Sequence, residues 1–157
     1  MDTRSDEEIR GDLSYLFDKS SQALGARMAT ALSEVGITPR EYCVLSKAGA
    51  GELTQRELGA VALMDKTTMV VTLDRLEKSG LARRVPSPTD RRVRIVQATD
   101  AGVRVIRRAK VIIDAVYDDV LGVLPEADRT TLLDALVRLV GAGGPLGSVE
   151  PRSSATV

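Results

Sequence analysis

The sequence predicts a mainly α-helical, α+β chain with one small β-hairpin, and three observations carry that expectation. Apolar runs at helical spacing, several opened by capping boxes, fill most of the 157 residues. Two short β-branched runs, at 81–85 and 92–97, flank Pro86-Ser87-Pro88-Thr89-Asp90, which is a hairpin signal. Aromatic residues make up only 3 %, so the core must be aliphatic and helix-borne.

Size and composition bound the rest. A globular chain of this length buries roughly 70 % of its unfolded surface, enough for a single domain with an ordinary core. No run approaches the roughly 18 apolar residues of a membrane span, and the opening Met-Asp-Thr-Arg-Ser-Asp-Glu-Glu is too acidic for a signal peptide, so a cytoplasmic protein is expected. One cysteine cannot form an internal disulfide, which agrees with a reducing compartment. Histidine is absent, which disfavours the common zinc sites and His-based acid/base chemistry. With no Gly-x-Ser-x-Gly and no phosphate-binding Gly-Lys loop either, the chain is expected not to be an enzyme and to need no cofactor or metal.

Each element has a local cause. Ser5-x-x-Glu8 is a capping box, and Ile9, Leu13, Leu16, Ser20, Leu24, Met28, Leu32 and Val35 then repeat at helical spacing to Gly36. A helix of some 30 residues is about 45 Å long and projects beyond a small lobe, so it calls for a partner. Thr38-Pro39-Arg40-Glu41 opens a second helix over 39–48, closed by Gly49-Ala50-Gly51. Thr54-Gln55-Arg56-Glu57 opens a third, through Leu58, Val61 and Ala62 to about Leu63. Only Met64 then separates it from the N-cap Asp65, so the two helices must cross steeply, as in a helix-turn-helix. In the fourth helix Met69, Leu73 and Leu76, followed by Leu81, make one apolar stripe, leaving Lys66, Thr67, Thr68, Val71, Arg75 and Lys78 outward, until Gly80 stops it. After the hairpin, Thr99 caps a helix to about Leu124 whose apolar positions cover most of its circumference. Pro125 starts a last helix carrying Leu132, Leu133, Leu136, Val137, Leu139 and Val140. Surfaces so apolar are best buried between subunits. One domain is therefore expected over 1–143, with a winged helix-turn-helix lobe at about 37–98 and dimerisation helices at about 5–36 and 99–141. The Gly-, Ser- and Pro-rich segment 144–157 reads as a flexible tail.

Charge points to a partner. Basic and acidic residues balance at 22 each, yet residues 81–97 hold five arginines (83, 84, 91, 92 and 94) against Asp90 alone, a local charge of +4. Beside a helix whose outer face offers cations and hydroxyls, such a hairpin suits a polyanionic duplex.

The segments Leu53-Thr54-Gln55-Arg56-Glu57-Leu58, Asp65-Lys66-Thr67-Thr68, Leu73-Asp74-Arg75-Leu76-Glu77-Lys78-Ser79-Gly80-Leu81 and Asp90-Arg91-Arg92, in that order, closely resemble the MarR (multiple antibiotic resistance regulator) family. The resemblance runs from the first helix to about residue 140, and its most specific part is Asp90-x-Arg92 followed by Thr99-x-x-Gly102. It implies a homodimeric winged helix-turn-helix regulator that binds pseudo-palindromic double-stranded DNA, expected to act as a repressor and to be released by a small molecule or by oxidation. Carried over by position, Arg92 would enter the minor groove from the wing, between Arg91 and Arg94, with Asp90 fixing the tip backbone or the arginine fork. Thr54, Gln55, Lys66 and Thr67 would hold phosphates, while Thr68, Val70, Val71 and Arg75 would lie nearest the major groove. The family often has Thr and Arg where this chain has Val70 and Val71. Valine methyls can pack on thymine C5 methyls, so readout biased toward thymine and DNA shape is expected, unless one valine turns inward.

For the switch, the resemblance places an effector pocket between dimer helices and winged lobe. Met28, Tyr42 and Tyr117 are candidate linings for a phenolic or other aromatic ligand; ordinary core roles are the alternative. Cys43 invites a redox-sensing reading, but it stands in an apolar run on the second helix, whereas the peroxide-sensing members carry theirs in the first. A winged-helix module used only for protein contact is the other alternative.

Overall fold

A computed structural model of the chain describes residues 5–49, 52–141 and 146. The chain forms two compact units, residues 1–116 and 117–157.

The first unit opens with α1 (Asp6–Gly11) and α2 (Leu13–Leu32), followed by a 3-10 turn (Ser33–Val35). The single unbroken helix expected here is corrected by a break at Asp12, whose backbone leaves the helical region (φ −107°, ψ 81°). Its carboxylate accepts the Tyr15 N–H at 2.9 Å, so a local N-cap competes successfully with helix continuation. Gly36, at φ 71°, ends the run as expected. Next come α3 (Pro39–Ala48), β1 (Leu53–Thr54), α4 (Gln55–Val61), α5 (Lys66–Lys78), β2 (Ala82–Pro86), β3 (Arg94–Ala98) and α6 (Asp100–Leu121).

The three capping boxes form as the spacing predicts: the Ser5, Thr38 and Thr54 side chains accept the N–H groups of Glu8, Glu41 and Glu57, whose carboxylates return to the cap amides. Two expected boundaries move. α4 ends at Val61 rather than Leu63, and Ala62, Leu63 and Met64 make the turn into α5, with Leu63 at φ 53° and 94 % exposed. The strands begin later than expected, and Pro86 closes β2 instead of opening the wing loop.

The sheet has three antiparallel strands in the order β1-β3-β2, not the two of a bare hairpin. Leu53 pairs with Val96 and Thr54 with Ile95, while β2 and β3 register from Ala82 opposite Ala98 to Pro86 opposite Arg94. β1 thus fastens the start of α4 to the wing.

One core joins Val44, Leu45 and Ala48 of α3, Leu58 of α4, Met69, Leu73 and Leu76 of α5, and Ala82 and Val96 of the sheet. The α5 stripe is thus buried as its spacing predicts. A second cluster joins Leu32, Ile37, Ala109 and Ile113, with Met28, Tyr42, Leu81 and Val105 packed against it. Within the chain, α6 buries one stripe through Gly102, Ala109 and Ile113 and leaves Val111 70 % exposed. It ends at Leu121, short of the expected Leu124.

In the second unit α7 (Glu126–Val140) follows Pro125, its N-cap, and buries none of its residues. Leu132, Leu133, Val137 and Val140 are exposed there. Apart from Leu146, the segment 144–157 expected to be a flexible tail lies outside the described residues.

Candidate nucleic-acid interface

α5 is built to show one polar face. Its N-cap Asp65 accepts the Thr68 N–H at 2.9 Å and the Thr68 hydroxyl at 2.6 Å. Those bonds, the hydroxyl's first, hold the Asp65 carboxyl below its ordinary value of 3.8. Glu57 at the start of α4 is likewise lowered from 4.5, chiefly by the Thr54 backbone N–H and then by the Thr54 hydroxyl. With Met69, Thr72, Leu73 and Leu76 buried, the exposed side of α5 carries Lys66, Thr67, Val71, Arg75 and Lys78, together with Asp74, which pairs with the wing. Val71 is 55 % exposed, whereas Val70 and Thr68 are half-buried. Thr54 and Gln55 are half-buried at the N-terminus of α4, the Thr54 hydroxyl being engaged as cap.

The wing loop is ordered by its own turn chemistry. Ser87 donates its N–H to the Val93 carbonyl at 2.8 Å and Val93 returns one to the Asp90 carbonyl at 2.9 Å. Asp90 Oδ1 accepts the Arg92 backbone N–H at 2.9 Å, so of the two roles expected of this acid it takes the tip backbone. Arg91, Arg92 and Arg94 are exposed, and no ion pair holds their side chains among the described residues. Two wing arginines are otherwise engaged. Arg84 pairs with Asp74 at 2.9 Å and with Glu77, whose other oxygen accepts the Arg84 backbone N–H at 2.8 Å, and Arg83 reaches Gln97 at 3.3 Å. The +4 of the hairpin therefore overstates its free charge, because α5 supplies two acids to Arg84. That clamp fixes the wing against α5, so the two are held as one piece.

Arg75, expected on the outer face, is exposed there, and it makes an ion pair with Glu41 of α3, its Nε 3.3 Å from Glu41 Oε1. The pairing crosses 34 positions in the sequence, and no local spacing announces it.

At the base of the wing, Gly80 takes φ 70°, and the Thr99 hydroxyl donates to the Gly80 carbonyl at 2.7 Å while accepting the Gly102 N–H at 3.1 Å. Thr99 thus caps α6 and ties it to the end of α5.

The other candidates are more ordinary in position. Met28 and Tyr42 pack half-buried on the second cluster, and Tyr117, in the second unit, is 40 % exposed. Cys43 is a free, half-buried thiol on α3. Among the described residues no group of three or more Cys, Asp or Glu could hold a metal ion, and no helix is long and apolar enough to cross a membrane.

A short helix, a tight turn, a second helix with a polar outer face and an arginine-bearing wing define a winged helix-turn-helix protein. Residues 35–93 match the family model described as MarR family. The chain is 30 % identical over 133 residues to a protein described as a transcriptional regulatory protein for the hcr operon of Thauera aromatica, covering 83 % of this chain and 80 % of that one. It is similar to the transcriptional repressor CouR bound to a 23-mer DNA duplex, with 27 % identity, a TM-score of 0.77 and coverage of 87 % of this chain and 97 % of that one. CouR from Rhodococcus jostii RHA1 bound to p-coumaroyl-CoA is 28 % identical with a TM-score of 0.74, over 83 % of this chain and 92 % of that one. The chain belongs to the MarR family and is a transcriptional regulator, not an enzyme.

Proposed function

We propose that this regulator acts as a homodimeric repressor in the cytoplasm, binding a pseudo-palindromic DNA operator and leaving it when a small aromatic effector binds. The observation that carries the DNA reading is the clamp through Arg84, Asp74 and Glu77, which holds the exposed outer side of α5 and the exposed Arg91, Arg92 and Arg94 of the wing together. Lys66, Thr67 and the capped start of α4 with Thr54 and Gln55 hold phosphates; Thr68, Val70, Val71 and Arg75 face the major groove; Arg92 enters the minor groove. The CouR complex with DNA supports that docking, and the complex with p-coumaroyl-CoA supports an aromatic effector class. Met28 and Tyr42, beside Leu32, Ala109 and Ile113, offer apolar and aromatic surface for such a ligand.

Arg92→Ala tests the proposal. Affinity for a duplex selected by the protein from a random-sequence pool should fall by at least about tenfold, and the slope of log affinity against log salt should flatten by roughly two, about one per subunit. Unchanged affinity and slope would leave the wing without a DNA role and favour a protein-contact module.

A further inference from the structure

Glu41 does not belong to the helix-turn-helix, yet its carboxylate is the group that meets the outer face of α5. It lies in the first turn of α3 with its side chain only 8 % exposed, whereas the Arg75 side chain that it meets is 63 % exposed. The two carboxylate oxygens divide the work: Oε2 accepts the Thr38 N–H at 2.7 Å and closes the capping box, and Oε1 lies 3.3 Å from Arg75 Nε. Fixed by the helix cap at one oxygen, the carboxylate cannot follow Arg75 as that side chain moves. Nε is thus the Arg75 nitrogen that faces the carboxylate, paired with it by charge and not by a hydrogen bond, and neither terminal nitrogen is hydrogen-bonded among the described residues. The ion pair forms a ridge between two surface hollows, one lined by Thr38, Arg40, Thr67 and Val71, the other by Gly36, Ile37, Lys78 and Ser79.

Two physical consequences follow. An arginine whose Nε faces a fixed carboxylate is biased to turn its outer fork away from that charge, where the fork can take the N7 and O6 acceptors of guanine bidentately. The buried negative charge beside it also offsets the attraction of Arg75 to any phosphate within reach, which removes sequence-independent binding at that point.

We propose that Glu41 is a positioning residue for base specificity, holding Arg75 as a reader of one guanine per half-site in place of a phosphate-binding cation. This rests on the reading of α5 as the major-groove helix.

The probe is a duplex selected by the wild-type protein from a random-sequence pool, with each guanine replaced in turn by 7-deazaguanine, which lacks the N7 acceptor. Wild type should lose about tenfold or more in affinity at one guanine of each half-site. Arg75→Ala should remove that penalty. Glu41→Gln, which keeps a carbonyl oxygen for the Thr38 cap, should reduce it severalfold without weakening binding to an unrelated duplex, and should steepen the salt slope by up to about two, one per subunit. Arg75→Lys keeps the charge and loses the fork; it should lose the penalty with an unchanged slope, and it leaves the Glu41 cap intact. The Glu41→Gln/Arg75→Ala double variant should show no further loss of discrimination. A full wild-type penalty in Glu41→Gln, or in both Arg75 variants, would overturn the proposal. So would a wild type that binds the selected duplex yet shows no 7-deazaguanine penalty anywhere, which leaves the DNA reading standing. A wild type that selects no duplex at all would overturn both.

Discussion

A methyl group added at Gly102 would sit 2.1 Å from the Leu81 carbonyl oxygen. No side-chain rotation relieves a clash with backbone, so Gly102→Ala must push α6 away from the end of α5, at a cost of about 2 to 3 kcal/mol. Urea unfolding should show this as a lower midpoint. The motif Thr99-x-x-Gly102 was visible in the sequence as a helix start, but the reason for its glycine was not, because the obstacle lies 21 positions earlier. At Val71 the reverse holds: its spacing on α5 predicted an outward side chain, and it is 55 % exposed. Replacing thymine by uracil across the half-sites should therefore weaken wild-type binding severalfold, and Val71→Ala should reduce that effect. Equal affinity for the uracil duplex would remove the methyl contact. Glu41, Arg84 and the turn residue Leu63 mark the opposite limit. Their roles depend on partners brought close by folding, or on a left-handed backbone that leucine rarely adopts, and neither leaves a local signature.

Helix starts were the most legible elements, because a cap is a local contract between residues three apart. Asp65 carries such a contract for α5, and its lowered carboxyl pKa makes the contract pH-dependent. A depressed folded-state value means that Asp65 stabilises the fold fully above its unfolded value near 3.8 and progressively less as pH falls through its folded value. The same sign holds for Glu57, whose reference value is 4.5. Asp65→Asn, which still caps but does not titrate, should reduce the stability lost between about pH 5 and pH 2. Urea midpoints measured across that range check this, and an identical pH profile for variant and wild type would contradict it. Where local contracts competed, the longer pattern misled. Gly11-Asp12 holds a cap signal, but the apolar repeat from Ile9 to Val35 suggested continuity through it. β1 leaves no signature in the sequence, because Leu53 and Thr54 are too few to show a period and Thr54 also serves as the α4 cap.

At the scale of the molecule, apolar side chains remain on the outside at both ends of the chain. Leu13 and Leu16 on α2, and Leu132, Leu133, Val137 and Val140 on α7, are all exposed, and α7 buries nothing. Such surface is stable in water when a second copy covers it. Light scattering at micromolar concentration should give the mass of a dimer, and Leu133→Glu with Val137→Glu should shift it toward the monomer. A monomeric wild type would remove the two-fold arrangement on which paired half-sites depend. The apolar excess was legible in the sequence; the particular residues that stay exposed were not, since which stripe of α6 packs inside the chain depends on Leu32 and Ile37, brought to it by folding.

Hydroxyl-radical footprinting of the wild-type protein on its selected duplex tests the two-copy, groove-reading account most directly. Two equivalent protected patches should lie on one face of the duplex, centred about 10 base pairs apart, roughly 34 to 36 Å, with further protection at the flanking minor grooves that disappears in Arg92→Ala. A single patch, or flanking protection that survives in Arg92→Ala, would contradict it.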